Sequence, residues 1–231
     1  MVAKAEELVE LLASRHRVVV LGGIAVIGHG FTRPTADSDI WLDPMSSSGE
    51  WVTALIECLE NFKGLSVHSL PGWQEVSDEA LVEAVEEVGL VRVQGLDQPV
   101  DIFRRPNEYD IEDFPEVLER AVQGADGIFL PDALDLVRSK LDTGRDKDWQ
   151  DILFLENKVR AEYLEKLPKA TVREAKERLE RFCEPRVLEA ALLNPSKEVQ
   201  ELALTYLQEF ADAGDPFSQA ILEGRGVPPS H

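Results

Sequence analysis

Up to about residue 160, hydrophobic positions fall into short β-branched runs separated by helical repeats; beyond Glu162 only the helical repeat continues. Residues 3–15 set Leu8, Leu11 and Leu12 at helical spacing with Glu6, Glu7 and Glu10 outside, which predicts a helix packed on a sheet. Residues 18–21 (VVVL) read as a buried strand. Gly22-Gly23 then turns the chain into a short helix, and a turn-rich loop leads to a second strand that opens at Asp37-Ser38-Asp39 and runs on through Ile40-Trp41-Leu42. Residues 51–62 form an amphipathic helix that returns the chain to the sheet, and 65–70 a short strand broken by Pro71-Gly72. Ser77 is a good N-cap for a helix over 77–85. Residues 90–93 and 99–103 are strand-like runs joined by a Gly-containing, hairpin-length connection. A helix at 111–121 with Pro115 in its first turn, a strand at 127–130 and helices at 132–141 and 146–160 follow. Further helices are expected at 171–182, 186–193, 198–211 and 216–222, punctuated by Pro168, Pro185, Pro195 and Pro216.

Two places in this pattern carry chemistry. On a strand, i and i+2 share a face, so Asp37 and Asp39 project together, about 7 Å apart at the Cα level. Paired carboxylates need a positive charge between them, and hard oxygen ligands suit magnesium. Gly22 and Gly23 let a ligand approach the backbone, where a helix start would favour phosphate. Asp101 lies inside the apolar run VDIF, either facing water on an edge strand or completing a metal site, because an acidic residue there is costly without a partner.

Composition narrows the field. The net charge of −20 and pI near 4.5 argue against broad nucleic-acid binding, although Arg and Lys cluster at 138–147. With 44% hydrophobic residues in 231, a real core is expected. Membrane-length apolar runs and a signal peptide are absent, and Cys58 and Cys183 are read as reduced thiols, so a cytoplasmic protein is expected. A zinc cluster, a P-loop and a G-x-S-x-G elbow are also missing, which removes P-loop and serine hydrolases. His29 is read as a cap or hydrogen-bond partner rather than a base.

The stretch GG-x-A-x-x-x-H-G-x-x-R-x-T-x-D-x-D, from Gly22 to Asp39, resembles the first motif of the nucleotidyltransferase-fold superfamily, which includes DNA polymerase β. It looks closest to the small bacterial minimal nucleotidyltransferases and the AbiEii-type abortive-infection toxins. The segment from Leu136 to Glu156 resembles the family's later motif, a Lys-bearing helix running through a Gly/Arg loop into an R-x-K-D-x-x-D-I helix. The resemblance implies an α+β fold, a mixed sheet flanked by helices over 1–160, followed by an all-helical region over 161–231. It implies a metal-dependent nucleotidyltransferase that moves a nucleoside monophosphate from an NTP to an acceptor hydroxyl on tRNA, a protein or a small molecule. Asp37, Asp39 and Asp101 would be the catalytic metal ligands for two Mg²⁺ ions, with Mn²⁺ as the alternative. Gly22, Gly23, Arg33, Lys140, Arg145 and Lys147 would bind the nucleotide, with Asp148 capping or orienting the cations. The commonest family pattern is Gly-Ser, and Gly-Gly marks the abortive-infection branch. A toxin-like context would bring a cognate antitoxin or regulator. The competing readings are an inactive protein of this fold serving in binding or regulation, and an interaction module carried by the C-terminal helices.

Overall fold

In the computed structural model, residues 2–124, 127–141, 143 and 145–224 are described. Gly144 of the predicted Gly/Arg loop lies outside them. The chain divides into two compact units, 1–155 and 156–231.

Unit 1 is built on a mixed sheet, eight-stranded among the described residues, in the order β4-β3-β5-β6-β2-β1-β8-β7. The strands are β1 Val18–Val20, β2 Ser38–Leu42, β3 Ser66–Ser69, β4 Gln74–Glu75, β5 Leu90–Gln94, β6 Val100–Phe103, β7 Val122–Gln123 and β8 Ile128–Leu130. β2 runs parallel to β6 and antiparallel to β1, and β5 pairs antiparallel with both β3 and β6. Alternation along the strands sends Val18, Ile40, Leu42, Val91, Val93, Val100 and Ile102 into one apolar core. Helices α1 (Ala5–Arg15), α3 (Ser48–Leu59) and α4 (Asp78–Val88) supply Leu8, Leu12, Trp51, Leu55 and Leu81 to that core. The N-terminus of α1 is fixed by Asp97, whose carboxylate accepts from the Ala5 N–H at 2.8 Å. On the opposite face Trp41 is buried against Tyr109 and Phe114, and its indole N–H donates to the Arg104 carbonyl.

The described elements follow the hydrophobic pattern, with instructive differences. β2 begins at Ser38, so Asp37 stands at the strand's mouth rather than on it. α3 starts at Ser48, three residues before the predicted start, because the Ser47 side chain accepts from Glu50 N. The segment at 111–121 is a 3₁₀ turn (Ile111–Asp113) followed by α5 (Phe114–Arg120). α2 spans Gly22–Gly28, α6 Ala133–Lys140 and α7 Asp146–Lys166. Among the described residues no helix is long and apolar enough to cross a membrane.

Unit 2 is helical, with α8 Val172–Arg181, α9 Pro185–Ala191, α10 Lys197–Asp212 and α11 Pro216–Leu222. Thr171 and Glu174 form a capping box at the start of α8. Leu179, Val187, Leu188, Val199, Ala203 and Leu207 are buried between these helices. The buried Asn194 ties the unit together: its amide donates to the Leu167 and Ala170 carbonyls at 2.6 and 2.9 Å, and its side-chain oxygen accepts from Ser196 N at 2.9 Å.

Candidate active site

Register places the acidic residues. Asp39 on β2 is the parallel cross-strand partner of Asp101 on β6, and Asp101 is the antiparallel partner of Arg92 on β5. Cross-strand partners share a face, so these three side chains form one row across the middle of the sheet. Asp37 joins the row from the strand mouth. Asp37, Asp39 and Asp101 each offer an oxygen, all within 4.8 Å of one another. β6 is interior and Asp101 is buried, so it is not an edge residue facing water. Burial, together with the charges of Asp37 and Asp101, pushes the Asp39 carboxyl up to about 6, against the opposing pull of Lys140 and Lys147. Crowded carboxylates held at this cost suit a hard divalent cation, and the all-oxygen donor set fits magnesium or manganese.

The Gly-Gly turn fits closely beneath this row. Gly22 has φ +54°, and a Cβ there would lie 1.8 Å from Asp39 Oδ2. At Gly23 a Cβ would meet Thr35 Oγ1 at 2.6 Å. That hydroxyl donates toward Asp37 Oδ1 at 3.2 Å. A serine at position 23, as in the commoner family pattern, has no room beside Thr35.

A second wall is cationic. Lys140, at the end of α6, is 5% exposed and contacts Asp148 and Asp151 of α7 at 3.2 and 2.9 Å. Arg33 pairs bidentately with the same fully buried Asp151, both contacts at 2.8 Å. Arg145 contacts Asp148 at 2.6 Å, and Thr143 donates to it at 2.8 Å. Burial opposes the Asp148 charge, but the Thr143 hydroxyl, Lys140 and Arg145 hold its carboxyl below the ordinary value. Arg145 and Lys147 are exposed at the rim. His29 has a structural contact, a hydrogen bond between its Nε2 and the Pro131 carbonyl at 2.9 Å.

All nine sequence-predicted site residues line one cavity of about 540 Å³: Gly22, Gly23, Arg33, Asp37, Asp39, Asp101, Lys140, Arg145 and Lys147. That volume is within the range of small-ligand sites. Arg33, expected to reach either a phosphate or the aspartate pair, is engaged by Asp151. Arg92 and Trp73, which border the same space, lie outside the motifs, and Thr35, a motif position to which the sequence assigned no role, donates to Asp37. Arg92 does carry a signal: an arginine inside the apolar run LVRV is as costly as an aspartate inside VDIF, and hairpin pairing brings the two together.

No family model and no curated protein matches the chain. Among solved structures it is similar to a candidate nucleotidyltransferase from H. pylori, at 14% identity and a TM-score of 0.39 over 90% of this chain and 93% of the other. It is also similar to JHP933 from Helicobacter pylori, at 14% identity and a TM-score of 0.37 over 94% of each chain. Likeness at this level carries no weight for activity or substrate, which must be read from the site itself.

Proposed function

We propose that this chain is a metal-dependent nucleotidyltransferase, transferring a nucleoside monophosphate from an NTP to an acceptor hydroxyl. The observation that carries it is the convergence of three carboxylates, a Gly-Gly turn and a cationic wall on one cavity. Asp37, Asp39 and Asp101 are the residues to hold divalent cations, which when bound supply charge stabilisation to the attacking and leaving oxygens of phosphoryl transfer. Gly22 and Gly23 leave the cavity floor open for phosphate. Arg145 and Lys147, exposed at the rim, are the cations best able to reach a triphosphate. Lys140 and Arg33 act from behind them: paired with Asp148 and Asp151, they fix the α6–α7 wall. The acceptor is a hydroxyl on tRNA, a protein or a small molecule, and a toxin-like role would add an antitoxin or regulator as partner.

Calorimetry with each of the four NTPs and Mg²⁺ tests this on wild type and on Asp37→Asn/Asp39→Asn. Metal-dependent binding that disappears in the double variant is expected, and the nucleotide bound names the base; an acceptor screen with labelled nucleotide then follows. A folded wild type that binds no NTP would overturn the reading in favour of an inactive or interaction role.

A further inference from the structure

We propose that Arg92 is the resident cation of this site: it holds Asp101 in the metal-free protein and must be displaced before a second divalent ion can use that carboxylate. The inference rests on the metal-dependent reading above and concerns how the site is loaded.

Arg92 engages both oxygens of Asp101, Nε to Oδ1 at 2.6 Å and Nη2 to Oδ2 at 2.7 Å. Such a fork takes up the lone pairs on the side of the carboxylate that it faces. The pairing is set by the fold, because Arg92 and Asp101 are register partners on adjacent antiparallel strands. The guanidinium is also held from above, with the Trp73 ring centroid 4.0 Å from its carbon. Trp73 is in turn anchored, its carbonyl 3.0 Å from Nδ1 of His68, and His68 is the β3 partner of Arg92. Asp101 first, and then Asp37 and Asp39, reinforce the charged state of Arg92 against the effect of burial. A guanidinium cannot leave by losing its proton at any ordinary pH. It can yield Asp101 only by moving.

The three carboxylates are therefore unequal. Asp37 accepts from the Thr35 hydroxyl, Asp39 has the charges of Lys140 and Lys147, and both have the charge of Arg92 at a distance without its fork, so they are open to a first ion. Both oxygens of Asp101 already face the full positive charge of the Arg92 guanidinium. A second ion has to break a partly buried, bidentate ion pair and a cation–π contact to reach it. The metal sites should fill in order, and Arg92 sets the gap between them.

The test is Mn²⁺ titration of the full chain by calorimetry, without nucleotide, on wild type, Arg92→Gln, Arg92→Lys and Asp37→Asn. Wild type should show one tighter and one weaker class of site. In Arg92→Gln the weaker class should tighten roughly tenfold, about 1.4 kcal/mol. In Arg92→Lys, whose ammonium cannot fork, it should tighten by less. Wild-type tryptophan fluorescence should also change as the second class fills, and Trp73→Phe should lose that change. If Arg92→Gln does not fold by circular dichroism, the Lys variant and the Trp73-dependent signal decide. A second class with the same affinity in wild type and in the Arg92 variants, or no Trp73-dependent signal, overturns the proposal while Asp37-dependent binding keeps the metal reading standing. Absence of any Asp37-dependent Mn²⁺ binding removes both.

Discussion

Gly22 and Asp39 are so close that a single methyl group separates a working carboxylate from a displaced one. With a Cβ 1.8 Å from Asp39 Oδ2 and φ of +54°, Gly22→Ala must both strain the backbone and push the carboxylate away. Gly30 has φ +103° and open space around it, no atom lying within 4 Å of where a methyl would stand, so Gly30→Ala carries backbone strain alone. Both variants should lose stability, about 1–2 kcal/mol from the left-handed backbone. Only Gly22→Ala should also lose Mn²⁺ affinity, by about tenfold or more, measured by calorimetry. Asp39 itself supports a prediction of opposite sign. Its carboxyl ionises near 6 in the folded protein against an ordinary value of 3.8, so the folded state keeps a proton that the unfolded chain has released. Stability is thus lost as pH rises through that window, and the loss is complete above it. Asp39→Asn removes the unfavourable charge. With metal chelated, it should gain about 1–3 kcal/mol in denaturant melts near pH 8, the upper figure reduced by the partial exposure of the group, and gain little near pH 4.

At the scale of elements, the α6–α7 wall depends on a buried aspartate. Asp151 is fully buried and serves Arg33 and Lys140 at once. Asp151→Asn leaves two cations short of a counter-charge and should cost about 3–5 kcal/mol in denaturant melts. Lys147→Ala, at the exposed rim, should change stability by less than about 0.5 kcal/mol while weakening triphosphate binding. Elements with a strong local period were legible in the sequence: the β-branched runs 18–21, 90–93 and 99–103, and the helices around Leu8, Trp51 and Leu179, all lie where the pattern puts them. The gathering of Asp101 with Asp37 and Asp39 was expected from the family resemblance alone, because it is made by the parallel pairing of β2 with β6, which no local period specifies. β4 and β7 were not legible, since two exposed residues each carry no alternation. Nor was the pairing of Arg33 with Asp151, 118 positions apart, because which carboxylate a long side chain reaches is decided by tertiary packing. Arg92 lay between these cases: its cost was visible locally, but its stacking on Trp73 depends on the turn between β3 and β4.

The whole molecule carries a net charge of −20, and no local ion pair offsets it. Like charges spread over one chain repel most in the compact state, so salt that screens them should stabilise the fold. The melting temperature should rise as NaCl goes from about 20 to about 300 mM, across which the Debye length shortens from roughly 20 Å to below about 8 Å. Mg²⁺ should act in two ways that ionic strength can separate. At matched ionic strength, MgCl₂ should add stabilisation beyond NaCl, because an ion that binds only the folded carboxylate cluster shifts the equilibrium by mass action. Asp37→Asn/Asp39→Asn should keep the general salt response and lose that extra increment. If the increment survives in the double variant, the ion is acting on the acidic surface at large. The cluster then has no special claim on magnesium, however well its oxygens are placed.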